Sequence, residues 1–488
     1  MALSSYPPPY GRRRVKLFAL ALGLLLLLAL APLAWLFGTA RGQAVWEQAN
    51  SRSPNELIRY TERRLQGHTR LERWLLPPLH ALRARVEPEP PPGPLPDLGK
   101  GQRPEASPPP AGLSSRLVAD TPQAIREALL NATPGTQIVV APGLYPFDAT
   151  LRLGHDGRAD APIVLRAERP GTVWFAFTQV DGVRVDRPHW VFENLDIRGA
   201  CARHGDCEHA FHVIGRGAHA VIRNNRITDF NAHIKVNGQH GRWPDEGELA
   251  WNTLSNSAPR DTAQPVVMLD LVGAHRWRVH DNRVMNFVKL HGNRVAYGLF
   301  AKGASEGIRI ERNLLVCTPG GLSQPGERIG ISVGGGGTDP EVCRDRTCRS
   351  YEHRGGLAAN NVVAHCNDAG VDVNRGVDVR VAHNTLINTA GITVRAGSRA
   401  ELDGNLIEGR AWRRDGSVVE QRGTTPLGQW LDPAAAAALQ WQWLQPVASG
   451  SSVTDISTDF NGQLRAGHYA PGAILPRVNN SSPYSNIR

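Results

Sequence analysis

The sequence predicts an all-β fold, a parallel β-solenoid, over most of its 488 residues. Three observations lead there. A phrase of Asn, any residue, then an aliphatic one recurs at Asn194, Asn225, Asn252, Asn282, Asn313, Asn361, Asn384 and Asn405, with spacings of 31, 27, 30, 31, 48, 23 and 21. Self-similarity at such a period is the signature of stacked coils. Between the phrases lie short alternating runs, Gly330-Ile331-Ser332-Val333, Gly370-Val371-Asp372-Val373 and Gly391-Ile392-Thr393-Val394, whose period of two turns the aliphatics inward. No repeat has room for two helices, which excludes the helical solenoids. Asn at matching turns can stack and hydrogen-bond along the column, so the Asn repeat is first a structural device.

Composition agrees with a large folded body. Apolar residues make up 41% and charged residues 20%, and Gly 50 with Pro 36 stay below the level of wholesale disorder. Six Cys are too few for a disulfide scaffold of this length. The net charge of +10 is unevenly spread: residues 1–112 hold 15 Lys+Arg against 8 Asp+Glu, and the rest hold 40 against 37. The body is therefore nearly neutral and carries no aromatic–basic module, which sets nucleic acid aside as a partner.

The elements follow in chain order. Residues 1–16 form a basic segment ending Arg12-Arg13-Arg14-Val15-Lys16, and the 24 residues from Leu17 to Ala40 carry no charge. About 20 apolar residues span a bilayer, so residues 17–38 read as a transmembrane anchor, preceded by its cytoplasmic charges. The body then lies in the periplasm of a bacterial inner-membrane protein. The competing reading is a signal peptide cut near Gly42-Gln43-Ala44. Ser53-Pro54-Asn55-Glu56 is a capping box, and the apolar positions after it give residues 39–86 as a helical stalk ending near Pro77-Pro78. Residues 87–112 are a Pro-rich, extended linker. A cap helix begins at Pro122 behind Asp120 or Thr121, and the solenoid occupies 113–410. Residues 411–488, with Trp412, Trp430, Trp441 and Trp443, form a cap over the open end and a tail, although a sugar-stacking flap would have the same composition.

Export makes the cysteines readable. Cys201 with Cys207, and Cys343 with Cys348, are expected as local disulfides. The sharper alternative is a metal site of Cys201, His204, Cys207, His209 and His212, disfavoured because oxidation consumes close thiols. Cys317 and Cys366 occupy similar places in neighbouring repeats and either pair or stack. Gly334-Gly335-Gly336-Gly337 opens an insertion in one coil and lacks the Lys and helix of a phosphate loop.

The outward column of one strand set is expected to carry His233, Lys235, Asp270, Lys302, Ser332, Asp372, Asn374 and Arg395, a row suited to an extended polysaccharide. Three segments resemble the right-handed parallel β-helix proteins of the polysaccharide lyase type: Pro134-Gly135-Thr136-Gln137-Ile138-Val139-Val140-Ala141-Pro142-Gly143-Leu144-Tyr145, then Ala161 to Ala167, then Asp459 to Ala473. Ala301-Lys302-Gly303-Ala304-Ser305-Glu306-Gly307-Ile308-Arg309-Ile310 is similar to the catalytic-lysine coil of the chondroitinase B and alginate lyase family. The resemblance implies a right-handed helix and β-elimination on a uronate polymer. Lys302 is then the base and Arg328 assists the leaving oxygen, while His233, Lys235, Asp270, Asp372, Asn374 and Arg395 contact substrate. The family's calcium ligands should precede the lysine, but those places read Val295, Ala296 and Tyr297; no cofactor is predicted, and calcium stays an open alternative that lacks its expected ligands. Two other functions fit the residues: a glycoside hydrolase using Asp270 and Asp372, and a non-catalytic binder of polysaccharide or of a partner protein.

Overall fold

The computed structural model describes residues 69–86 and 98–476, apart from 321, 323–325, 337, 446–447, 450–455 and 466–467, together with Thr39, Thr61 and Leu65. The chain divides into two units, Met1–Pro88 and Glu89–Arg488. In the first, a helix spans Thr69–Val86 and continues through Pro77 and Pro78, so the prolines do not end it as expected. Proline keeps a helical φ; it removes its own N–H bond and crowds the carbonyl four residues back, which a helix can survive at a cost. The expected anchor at 17–38 and the capping box lie outside the described residues. Among the described residues, no helix is long and apolar enough to cross a membrane.

Three long parallel sheets build the second unit. The first runs through twelve strands from Ser115–Ala119 to Val418–Arg422, the second through ten from Leu151–Arg152 to Arg410–Arg413, and the third through eleven from Gly143–Phe147 to Thr425–Pro426. Strand order within each sheet follows chain order, so the chain winds as stacked coils giving one strand to each sheet. This is a parallel β-helix, and its parallel crossovers fit the right-handed sense that such connections take. The cap helix Pro122–Asn131 starts where expected, with Thr121 Oγ1 accepting from the Ala124 N–H at 3.1 Å.

The interior is a column of aliphatic and aromatic side chains, among them the fully buried Trp190, Phe192, Phe211, Leu269, Leu299 and Ile331. The fully buried Trp190 and Trp277 donate their indole N–H groups to the His155 and Pro244 carbonyls at 3.0 and 2.7 Å. Cys317 and Cys366 pair across neighbouring coils, and Cys201–Cys207 and Cys343–Cys348 are the expected local disulfides. The five-residue metal site is thereby excluded: both thiols are oxidised, and His204 Nδ1 accepts the Asp261 N–H instead.

The asparagine ladder is continuous. Asn252 Oδ1 accepts the Asn225 backbone N–H at 3.0 Å, Asn282 Oδ1 that of Asn252 at 2.9 Å, and the pattern repeats to Asn405. One assignment shifts. The register pairs Arg226 with Asp196, so Leu195 and not Asn194 occupies the ladder place in its coil. Asn194 sits one residue earlier, at φ 64°, in a left-handed column with Asn224, Trp251, Asp281, Arg312, Asn360, His383 and Gly404. Asn tolerates both places, so residue type could not separate them.

That left-handed corner binds the two ends of the body. Residues 98–112, expected as a free spacer, are strapped along it. Lys100 reaches Asp281 at 2.9 Å, the Arg103 N–H donates to Asn224 Oδ1 at 2.7 Å, and the Ser107 N–H donates to Asn194 Oδ1 at 3.0 Å. Gly101, at φ 60°, passes so close to Thr253 that a Cβ would lie 2.7 Å from its hydroxyl. Arg465 ties the C-terminal segment to Asn360 Oδ1 at 2.8 Å farther along. Residues 411–426 complete the last coil, and Trp430, Trp441 and Trp443 lie on the outer flank of the third sheet against Leu314, Val316 and Val362, not over the open end. Those outward aliphatics need a cover, and the Trp-rich segment supplies it.

Candidate functional site

The second sheet holds the site. Its pairing aligns Arg184, His212, Lys235, Asp270, Phe300, Ser332, Asp372, Thr393 and Trp412 in one column. Two residues along the strands runs a second column with Asn237, Val272 and Lys302, then Asn374 and Arg395. The alternation turning Leu269, Leu299, Ile331 and Val371 inward projects these side chains outward at a spacing of about 4.8 Å per coil.

Cations lie on top and carboxylates beneath. The Asp270 side chain is 6% exposed, whereas Lys235 and Lys302 are each 23% exposed. Lys235 Nζ donates to Asp270 Oδ2, and Lys302 Nζ stands 3.5 Å from Asp270 Oδ1 and 4.2 Å above the Phe300 ring. Burial pushes the Asp270 carboxyl up, but Lys235 and Lys302 outweigh it and hold the group below its ordinary value. Arg395 makes a two-point fork with Asp372, at 2.9 and 2.8 Å. Burial pulls the Arg395 guanidinium down; its bonds to Asp372 lift it above its ordinary value. Burial raises the Asp372 carboxyl above its ordinary value, although the Arg395 fork pulls the other way. Tyr297 stacks on Phe300 with centroids 4.3 Å apart. Burial, then the Asp372 charge, holds its phenol proton more tightly than usual.

Of the expected site residues, the structure gathers Lys235, Asp270, Lys302, Asp372, Asn374 and Arg395 on this face. It removes two. His233 is fully buried beside Phe230 with Nε2 against the Ser255 carbonyl at 3.0 Å; the pairing of its neighbours sets it level with the core residue Met268, so the simple alternation fails there. Arg328 is 1% exposed; it pairs with the inward Ala296, and its guanidinium donates to the Leu322 carbonyl at 3.0 Å. It anchors a loop and presents no group to the face.

Three features escaped the sequence reading. Tyr297 and Phe300 form an aromatic floor. His212 and Arg184 extend the basic column toward the N-terminal end. Gly335 crosses the floor so closely that a Cβ would lie 2.9 Å from Phe300 and 3.3 Å from Lys302 Cβ, so the glycine run borders the lysine. The signal for the last was present: four consecutive glycines directly after an outward strand.

Calcium does not fit the places implied for it. Val295, Ala296 and Tyr297 offer no carboxylate, and Ala296 faces the interior. A carboxylate acid–base pair does not fit either. Asp270 and Asp372 are separated by three coil steps, about 14 Å at the usual strand spacing, beyond the range of about 5–9.5 Å used by glycosidases.

The chain is similar to a pectate lyase, Pel9A, at 15% identity and a TM-score of 0.47, over 78% of this chain and 94% of that one. It is similar to a PL6 family alginate lyase, AlyGC, at 16% identity and a TM-score of 0.35, over 64% of this chain and about half, 52%, of that one. A third neighbour is the A-module of the Azotobacter vinelandii mannuronan C-5 epimerase AlgE4, at 12% identity and a TM-score of 0.36, over 65% and 94% of the two chains. No family model and no curated protein matches the chain.

Proposed function

We propose that this β-helix binds an extended, uronate-containing polysaccharide along its second sheet and cleaves it by β-elimination. The observation that carries the reading is the layering of the face: Lys235, Lys302 and Arg395 are pinned outward by the buried Asp270 and Asp372. Cations fixed by carboxylates beneath them meet an anionic chain without first ordering themselves, which spares side-chain entropy on binding. The half-buried Tyr297, backed by Phe300, adds an apolar edge against which a sugar ring can lie.

In the elimination, Lys302 takes the proton from the carbon beside the uronate carboxylate. The electrons of that C–H bond form the new C=C bond, and the glycosidic C–O bond breaks. The departing oxygen takes a proton, from water or from a group on the face. Lys235, on the other oxygen of Asp270, balances the substrate carboxylate in place of the metal that Val295, Ala296 and Tyr297 cannot hold. Residues 17–38 anchor the protein in the inner membrane, with the body in the periplasm.

One observation favours binding without cleavage: Lys302 faces a carboxylate at 3.5 Å, the arrangement of a binding cation. The test is the full-length protein with pectate, alginate and chondroitin polymers, followed by ultraviolet absorbance of unsaturated uronate and by affinity electrophoresis. Absorbance growth supports the lyase, retardation without absorbance leaves the binder, and neither overturns both. Resistance of the chain to alkaline carbonate extraction tests the anchor; release into the wash would contradict it.

A further inference from the structure

Beyond the lysines, the face carries a group of side chains that the proposed elimination does not use. Asp181, His209 and His212 lie at its N-terminal end, on two adjacent coils, with one ligand atom from each within 4.8 Å of the others. The Glu208 carboxylate lies 3.7 Å from His209 Nε2 at the rim.

The hydrogen bonds fix where the lone pairs point. His209 Nδ1 is 3.1 Å from the Ala232 carbonyl, which only a donor satisfies, so Nδ1 carries the proton and Nε2 presents a lone pair. His212 Nε2 is 2.8 Å from Asn237 Oδ1, and the Asn237 amide is oriented by its own Nδ2 bond to the Gly238 carbonyl at 2.9 Å. The Nε2 of His212 is therefore a donor as well. In the neutral ring this leaves the Nδ1 lone pair facing Asp181 Oδ2 at 3.1 Å, acceptor against acceptor. The other oxygen, Asp181 Oδ1, is buried without a hydrogen-bond partner. Such a contact needs a positive charge between its members, either a second proton on His212 or a cation.

The surroundings favour the cation. Both rings have their remote or lateral N–H committed to an oxygen, which is how metal-binding imidazoles are held. Two imidazole nitrogens and a carboxylate are the donor set of divalent transition ions rather than of calcium or magnesium. Tetrahedral ligand atoms about 2.1 Å from an ion stand about 3.4 Å apart; Asp181 Oδ2 and His212 Nδ1 are 3.1 Å apart, and all three atoms lie within 4.8 Å of one another. The nearby cations are engaged elsewhere: Lys235 with Asp270, and Arg184 with Gln239 Oε1 at 3.0 Å.

We infer that Asp181, His209 and His212 form a binding site for a zinc-type divalent transition ion, with Glu208 at its edge and the remaining coordination position open to the groove. The open position suits an oxygen of a ligand lying along the sheet. The site stands on this geometry alone and does not depend on the lyase reading.

The test is a titration of chelator-stripped, full-length protein with Co²⁺ and Zn²⁺ in the absence of any polysaccharide. One ion per chain is expected, with visible d–d bands for Co²⁺ that Zn²⁺ abolishes and Ca²⁺ does not. The isosteric Asp181→Asn, and separately His212→Ala, should weaken binding by at least the about 10–100-fold that loss of an outer partner alone costs a metal site. Thermal melts of the stripped variants confirm that each is folded, and His204→Ala, outside the cluster, should leave binding unchanged. Absence of Co²⁺ uptake, uptake untouched by Asp181→Asn and His212→Ala, or displacement by Ca²⁺ as readily as by Zn²⁺ would each overturn the site. The first result would assign the charge to a doubly protonated His212.

Discussion

Lys302 and Arg328 began as partners in one reaction and ended on opposite sides of the sheet. The difference lies in the register: Lys302 pairs with the outward Val272, whereas Arg328 pairs with the inward Ala296. Opposite consequences follow. Lys302→Ala should cut turnover by about 10²–10⁴-fold, the usual contribution of a general base, while the melting temperature barely moves. Arg328→Ala should instead lower stability, by about 1–3 kcal/mol for the buried carbonyl deprived of its donor, read from the urea midpoint. A Lys302→Ala protein with full turnover on a polymer that the wild type cleaves would end the base assignment. The same register argument explains why Asp270 and Asp372 were found on the face while His233 was not. Alternation places it outward, yet it lies level with the core residue Met268.

At the scale of elements, the corners hold the coils together. Asn282 takes the Asn252 backbone N–H on its carbonyl, and its amide donates to the Leu249 carbonyl at 2.8 Å, all at zero exposure. Asn282→Ala strands both backbone groups, and each buried unpaired group costs about 1–3 kcal/mol. Unfolding in urea should therefore shift strongly, and a shift no larger than that of an exposed Asn131→Ala control would show the ladder to be dispensable. The strap over the neighbouring corner depends on Asp281. Burial pushes that carboxyl up, but hydrogen bonds from His280, Arg312 and Lys100 outweigh it and hold it well below the ordinary carboxylate range. Asp281→Ala should free the strap and open the Lys100–Gly101 bond to trypsin in the folded protein. Unchanged resistance would mean that the Asn194 and Asn224 contacts suffice.

For the whole molecule, acid is the informative variable. Burial lowers His233 and His365 from 6.5 to about 4, and His353 and His383 from 6.5 to about 3. A histidine depressed in the folded state contributes stability that is complete above its unfolded value, about 6.5. That contribution is lost as pH falls through the folded value, because the unfolded chain binds the proton first. The thermal midpoint should therefore decline steadily from about pH 6.5 toward pH 3, before the carboxylates dominate. A flat midpoint between pH 6.5 and 4 would mean that these rings are solvated.

The sequence by itself determined the stacking of coils, the ladder, the local disulfides and most of the lysine-bearing face. Each of these is written as a period along the chain, and in a solenoid the period is the structure: a residue's neighbours in space sit one coil away in sequence. What only the tertiary structure decided lies where the period breaks or where chain ends return. The burial of His233, the inward turn of Arg328 and the pairing of Cys317 with Cys366 depend on pairing across coils of unequal length. The strap at 98–112 and the Trp-rich flank cover depend on which surface of the finished helix is left open. The meeting of Asp181 with His209 and His212 joins residues about 30 positions apart, in a stretch where the phrase at Asn194 sits one residue out of ladder register.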